Sequence, residues 1–212
     1  MADDDWYRRT EWTESDREAF LVRLKRSRTR YDKAQYLRIQ AGYLGAIHPS
    51  AALELLHMVV EEFPEPGQLA QAHLQIALCR LRLGDPDAAL AEFRRALEQE
   101  SSYPQALTNA FLDFATFAIA RERRDLYEEV ARVLREREKR LLFPVDHYRF
   151  HAALAVVTEA AGDARDAALH ARLALATAEL KHSGFRYHPA VGLVGEQDEA
   201  LQRRLTTLAR LG

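Results

Sequence analysis

The chain has 212 residues, of which 48% are hydrophobic and 29% are charged, and its formal net charge is −2. This balance is typical of a folded globular protein and excludes global disorder, and a nearly neutral chain has no overall field that would hold nucleic acid or an anionic membrane. The single cysteine, Cys79, excludes an intrachain disulfide framework and fits a reducing compartment.

No targeting or membrane segment is predicted. The first residues, Met-Ala-Asp-Asp-Asp, are acidic and carry neither the basic stretch nor the apolar stretch of a signal peptide. The chain also lacks a run of about 18 apolar residues, the length that a transmembrane helix needs. We therefore expect a cytoplasmic protein with no membrane partner.

The chain opens with a segment that we expect to act as an N-terminal cap, residues 1–30. This segment begins with three aromatic residues, Trp6, Tyr7 and Trp12. Ser15 and Glu18 have the spacing of a capping box and predict a helix that starts there and runs to about residue 27. In proteins built from stacked helical repeats, a terminal helix of this kind covers the apolar face of the first repeat, which has no neighbouring repeat on that side.

Four helical hairpins are predicted to follow. They cover residues 31–66, 69–103, 104–142 and 147–181. Their helices are expected at residues 31–46 and 50–63, 69–83 and 86–99, 105–121 and 125–142, and 147–161 and 164–180. The third hairpin is degenerate, but an apolar stripe at helical spacing supports its first helix: Leu107, Phe111, Phe114 and Ala118.

Prolines and glycines predict where these helices end. Pro64 and Pro66 are expected to stop the second helix of the first hairpin, and Gly84 and Gly162 to end the first helices of the second and fourth hairpins. Those two glycines lie 78 residues apart, which is close to the length of two 34-residue repeats.

Residues 182–212 form a different segment. Gly184, Pro189 and Gly192 interrupt a stretch without helical period, which we expect to pack on the hairpins. An amphipathic helix follows at about residues 196–211, with an apolar side formed by Leu201, Leu205 and Leu208.

Three stretches of 34 residues, at 33–66, 70–103 and 148–181, share one register of small and apolar positions. The first stretch carries Tyr36, Ile39, Tyr43, Ala52, Leu56, Val59 and Pro64. The second carries Ile76, Ala77, Gly84, Ala89, Phe93 and Ala96. The third carries Leu154, Ala155, Gly162, Ala167, Ala171 and Ala174.

This pattern resembles the tetratricopeptide repeat over residues 33–181, and the whole chain is similar to short bacterial tetratricopeptide (TPR) proteins of unassigned role. The resemblance implies an all-α fold in a single domain, residues 1–212. It would be a right-handed superhelical solenoid of about four TPR-like helical hairpins with N- and C-terminal capping helices.

The resemblance also implies that the first helices of the hairpins line a concave groove. The positions that clamp a terminal carboxylate in such grooves are occupied here by Leu37, Ala41, Leu74 and Leu78, which cannot pair with a carboxylate. We predict an apolar groove instead, formed by Leu37, Ala41, Leu44, Leu74, Leu78 and Leu81. Polar residues at its margins would supply specificity: Arg38, Gln75, Arg82, Asn109 and Asp113.

Such a groove predicts a non-enzymatic protein–protein interaction module that binds a partner helix or an extended segment of a protein or peptide. Self-association is compatible with the same surface. In the alternative arrangement the chain's own segment 184–194, or its last helix, covers the groove and leaves a closed monomer.

Two other classes of function stay open. His147 and His151 are four residues apart on a predicted helix and would present both imidazoles to one metal ion in a metal-binding protein or metal-dependent enzyme. A nucleic-acid-binding adaptor would use two arginine-rich clusters: Arg23, Lys25, Arg26, Arg28 and Arg30, and Arg132, Arg135, Arg137, Lys139 and Arg140. The near-neutral net charge argues against nucleic acid, and no motif predicts a catalytic residue or a cofactor.

Overall fold

The computed structural model describes residues 5–211, and within that range the chain forms ten α-helices and no β-strand. The all-α prediction is therefore confirmed. Contacts group the helices into two compact units, of which the first ends at Ala110 and the second begins at Phe111.

The helices of the first unit are α1 (Glu14–Lys25), α2 (Arg30–Leu44), α3 (Pro49–Glu61), α4 (Pro66–Arg82) and α5 (Pro86–Ser102). Those of the second are α6 (Ala110–Ala120, beginning at the boundary), α7 (Tyr127–Arg137), α8 (Pro144–Ala160), α9 (Ala164–Ala178) and α10 (Glu199–Ala209). Short 3-10 turns at Arg124–Leu126 and Glu138–Arg140 flank α7. No described helix combines the length and the apolarity that crossing a membrane requires.

The start of α1 differs from the prediction. Thr13 is the N-cap: its hydroxyl accepts the N–H of Asp16, and the Asp16 carboxylate accepts the N–H of Thr13 at 3.0 Å. The prediction of a Ser15–Glu18 capping box is wrong, because Thr13 satisfies a free N–H of the first turn two residues earlier.

Prolines begin four of the helices. Pro66 is the first residue of α4 rather than a second stop for α3, and α8 likewise begins at Pro144, ahead of the predicted residue 147. Proline is tolerated at this position because its missing N–H would have no partner within the helix.

The hairpin α4–α5 recurs as α8–α9 at an offset of 78 residues. Gly84 and Gly162 end the first helix of each pair with φ of +79° and +86°. Asp85 and Asp163 then cap the second helices by accepting the N–H of the residue three positions on. The spacing of 78 residues between the two glycines therefore recurs in the first residues of the helices and in their caps.

The third hairpin begins later than predicted. The Glu100 carboxylate accepts the N–H of Thr108 at 2.7 Å, and the Thr108 hydroxyl accepts the N–H of Ala110. These bonds hold residues 103–108 as a loop, so Leu107 lies outside α6 and is 61% exposed. The predicted stripe is correct only from Phe111 onward.

The aromatic N-terminal segment packs on α2. The ring of Trp6 lies 5.0 Å from that of Tyr36 and 5.2 Å from that of Phe20. The buried amide of Gln40 accepts the N–H of Arg9 at 3.0 Å and donates to its carbonyl at 2.7 Å, as a neighbouring strand would. The segment therefore covers part of α1 and α2.

The C-terminal segment packs on the start of α8 in the second unit. The N–H of Val145 donates to the carbonyl of Gly192 at 2.8 Å, and the ring of Phe185 lies 5.5 Å from that of Phe143. Leu205 and Leu208 bury the apolar side of α10 against α8 and α9. The C-terminal helix is shorter than the predicted range of about residues 196–211, and Leu201 on its apolar side is only half-buried.

Candidate functional site: a cleft in the second unit

Four of the predicted groove residues are core residues of the first unit. Leu37, Ala41 and Leu44 have at most 1% of their surface exposed, and Leu74 has 4%. The three residues of α2 lie at spacings of three and four on one side of the helix, and that side is buried in a cluster with residues of α1, α3 and α4. They therefore present no surface to a partner in this conformation.

The other predicted groove residues of the first unit are dispersed. Leu78 and Leu81 are half-buried, Arg82 and Asn109 are exposed, and Arg38 donates to the Gln68 amide oxygen at 2.6 Å. The Nε2 atom of Gln75 lies close to Gly42, at 2.8 Å from the place where a Cβ would be added. The Oε1 atom of Gln75 is buried without a hydrogen-bond partner.

Asp113, the last predicted margin residue, lies in the second unit on α6. Its carboxylate pairs with the Arg149 guanidinium of α8 at 2.6 Å, and Arg149 also donates to the Thr116 hydroxyl at 3.0 Å. This ion pair ties α6 to α8, the first helices of the third and fourth hairpins.

A cleft of about 430 Å³ lies between these two helices and α10. It is lined by Thr116, Ile119, Ala120, Glu122, Val156, Asp198, Ala200, Leu201 and Arg204. Val156 is fully buried and Ile119 and Leu201 are half-buried, whereas five other lining residues are exposed: Thr116, Ala120, Glu122, Asp198 and Ala200. The cleft is therefore an open trough with an apolar base and a polar rim.

The rim carries both acidic and basic groups. Arg204 is paired with Glu159, with its Nη2 atom 2.6 Å from the carboxylate. Asp198 caps α10 by accepting the N–H of Leu201 at 2.7 Å. Burial, and then the negative charge of Asp198, raise the pKa of Tyr148, whose hydroxyl is buried without a hydrogen-bond partner.

Glu122 enters the rim through an unusual backbone conformation. Its φ is +49°, the only positive φ of a non-glycine residue within 5–211. Its N–H donates to the Ile119 carbonyl, and the N–H of Arg123 donates to the Ala118 carbonyl at 2.9 Å. These are the bonds of a Schellman helix end, so Glu122 fills the place after α6 that Gly84 and Gly162 fill after α4 and α8.

The predicted metal-binding histidines are arranged differently from the expectation. The rings of His147 and His151 are 6.5 Å apart, while His151 lies against His170 of α9, with 2.9 Å between the two Nδ1 atoms. Burial, then the neighbouring His170, lowers the pKa of His151 to about 4. Among residues 5–211 there is no group of three or more His, Cys, Asp or Glu side chains that could hold a metal ion.

Members of the arginine clusters have protein partners. Arg132 and Arg137 both pair with Glu136, at 3.0 and 3.1 Å, and Arg30 lies 3.7 Å from Glu65. Cys79 is buried, which raises the pKa of its thiol and disfavours the nucleophilic thiolate.

The sequence does not predict Glu122, Asp198 or Arg204 as site residues, and the predicted Asp113 is not among the residues that line the cleft. For Glu122 the sequence does contain a signal. A glycine, Gly84 or Gly162, follows the first helix of the second and fourth hairpins, and the third hairpin has no glycine at this place. No comparable signal marks Asp198 or Arg204, because the packing of α10 brings them to the cleft.

No family model matches the chain, and comparisons with curated proteins and with solved structures also give no match.

Proposed function

We propose that the protein is a non-enzymatic protein–protein interaction module that binds a partner helix or extended segment in the cleft between α6, α8 and α10. One observation carries this proposal: an open trough with an apolar base, bounded by the first helices of two consecutive hairpins and the last helix. Stacked helical repeats use such surfaces to bind other proteins.

The openness of the trough favours a polypeptide over a small molecule. Sites for small ligands bury most of the ligand's surface. Here five of the nine lining residues are exposed, so a small molecule would stay largely in water. A helix or extended segment can instead insert one apolar side chain against Ile119 and Leu201, which are half-buried, and continue beyond both ends of the trough.

The tetratricopeptide resemblance belongs to this proposal. It is supported by the 78-residue register of α4–α5 and α8–α9, and by the burial of Ala77, Ala89, Ala155 and Ala167 at repeat positions. On this proposal the hairpins continue as a right-handed superhelical solenoid, and the protein acts in the bacterial cytoplasm.

Affinity capture with a matched pair of variants tests the function. Ala120→Arg places a long side chain in the trough, whereas Ala91→Arg makes the same change at an exposed site of α5 in the first unit. From lysate of the source organism, the wild type and Ala91→Arg should retain the same stoichiometric protein, and Ala120→Arg should lose it. Retention by both variants would contradict the proposal, provided that their circular dichroism and melting temperatures match the wild type.

A further inference from the structure

We infer that the partner segment is cationic and amphipathic, with an apolar side chain against the half-buried Leu201 and lysine or arginine side chains at Glu122 and Asp198. This inference rests on the proposed function, because it names the chemistry of the partner that the same cleft would take.

The cleft carries more negative charge than positive charge. Arg204 is the one lining cation, and Glu159 already pairs with it. Glu122 and Asp198 have exposed carboxylates, and no ion pair joins either of them to another side chain within the described residues. Two carboxylates beside an apolar base complement a segment that carries apolar and basic side chains together.

Glu122 is also costly to the fold, in two independent ways. A residue with a Cβ is disfavoured at φ +49°, and glycine fills the equivalent place twice elsewhere in the chain. In addition, Glu122 follows the C-terminus of α6, where the helix dipole favours a cation rather than a carboxylate. Strained residues cluster at sites of function, so the carboxylate at this place points to a ligand.

The arginines that are adjacent to Glu122 in sequence do not line the cleft, so they do not cancel the negative charge of its carboxylates there. Arg123 is paired with Asp125 at 2.8 Å, and Arg124 lines a separate cavity between α7 and α8. Arg121 follows α6 but is not among the residues that line the cleft. The α10 N-terminus adds partial positive charge near Asp198, so we expect Glu122 to contribute more than Asp198 to a cation's affinity.

Two synthetic amphipathic peptides of equal length test the inference on the full-length protein. One contains leucine and lysine, and the other has glutamate in place of every lysine. Fluorescence anisotropy gives their affinities at low and high salt, and amide chemical shifts in NMR spectra locate the bound peptide.

The variants remove charge while keeping shape. Glu122→Gln removes one carboxylate, and Asp198→Asn removes the other while keeping a residue that can cap α10. Glu98→Gln, at an exposed site of α5, is the matched control. We expect the lysine peptide to shift the amides of Ala120, Ala200 and Leu201, and each cleft variant to weaken the binding of this peptide by about two- to fivefold, while the control does not.

The outcomes separate this inference from the proposed function. Equal or tighter binding of the glutamate peptide at the same amides would overturn the cationic partner and leave the cleft as a binding site. Shifts elsewhere, or equal losses in the cleft variants and the control, would also overturn it. If the captured protein were in addition retained by Ala120→Arg, the proposed function would fail as well.

Discussion

The Nδ1 atoms of His151 and His170 lie 2.9 Å apart across α8 and α9, at the same place where His73 and Glu92 meet across α4 and α5 with 2.6 Å between Nδ1 and Oε2. Both members of the second pair lie 78 residues after those of the first. One hairpin thus pairs a histidine with a carboxylate, and its counterpart pairs two imidazoles.

The His151–His170 pair predicts that acid destabilises the protein. Two neutral imidazoles can share one hydrogen bond, whereas a second proton would place two donors against each other. Burial, and then His170, lowers the pKa of His151 from 6.5 to about 4, and burial also lowers that of His170. The unfolded state therefore binds more protons than the folded state between these two pH values, so stability falls as the pH falls through that window.

We expect the free energy of unfolding to fall by roughly 1 kcal/mol per pH unit between pH 6.5 and about 4, less than the 1.4 kcal/mol limit for one proton because the site is only half-buried. Urea unfolding at pH 7 and pH 5 measures the difference. Other charged groups act on the pair: His147, Asp166, Arg135 and Glu138. Equal stability at both pH values would contradict the prediction.

Replacement of His170 by glutamate should reduce this sensitivity. The variant His170→Glu places a carboxylate where Glu92 lies in the other hairpin. Burial raises the pKa of Glu92, but the hydrogen bonds and charges of His73 and Arg95 together outweigh it and lower that pKa. Beside a carboxylate the imidazolium form of His151 gains an opposite charge, so the pKa of His151 should rise from its lowered value and the loss of stability in acid should shrink. The free energy of unfolding at pH 5, divided by that at pH 7, should therefore be larger for His170→Glu than for the wild type. The reciprocal variant Glu92→His should introduce acid sensitivity into the first unit.

Glu122→Gly should stabilise the protein by about 1 kcal/mol, since glycine adopts a positive φ without steric cost. Gly162→Ala is the matched control. An added Cβ there would meet nothing within 4 Å, so its expected loss of about 1 kcal/mol isolates the backbone cost. Thermal and urea unfolding of both variants gives the values. A Glu122→Gly variant less stable than the wild type would show that the carboxylate supports the fold itself, which would weaken the case for a ligand.

Gln40→Ala should release the N-terminal segment from α2. The substitution removes both hydrogen bonds to the Arg9 backbone and leaves a gap in a buried site, at a cost of about 1–3 kcal/mol. Hydrogen exchange at the Arg9 amide should become as fast as in an open segment. Gln202→Ala, at an exposed site of α10, should change neither quantity. Unchanged exchange at Arg9 in Gln40→Ala would contradict this account.

Leu78→Glu separates the two candidate binding surfaces. The sequence alone predicts that this change abolishes partner binding, because Leu78 belongs to the apolar groove of the first hairpins. The cleft proposed here lies in the second unit, so the captured protein should be retained. Loss of that protein with an unchanged melting temperature would return the binding site to the first unit.

The helices and their repeat register could be predicted from sequence because glycines, prolines and capping aspartates mark them locally. Gly84 and Gly162 set the 78-residue register directly. The orientation of α2 could not be predicted in the same way. An apolar side at helical spacing fits a groove and a core equally well, and neighbouring helices decide between them, as the burial of Leu37 and Leu44 illustrates.

The cleft was less accessible to sequence reasoning for a related reason. Its lining residues come from α6, α8 and α10, which are distant in sequence, and their side chains are of ordinary types. Asp113 was identified as a polar margin residue, but its partner Arg149 lies 36 residues away and becomes visible only through packing. Glu122 is informative only once its φ is known.

Photo-crosslinking in cells of the source organism tests the central claim most directly. A photoreactive amino acid at position 120 would lie in the cleft, and one at position 91 would lie on α5 of the first unit. We predict one abundant protein adduct from position 120, suppressed by Glu122→Gln together with Asp198→Asn, and no such adduct from position 91. Equal adducts from both positions, or an adduct from position 91 alone, would contradict a partner-binding cleft.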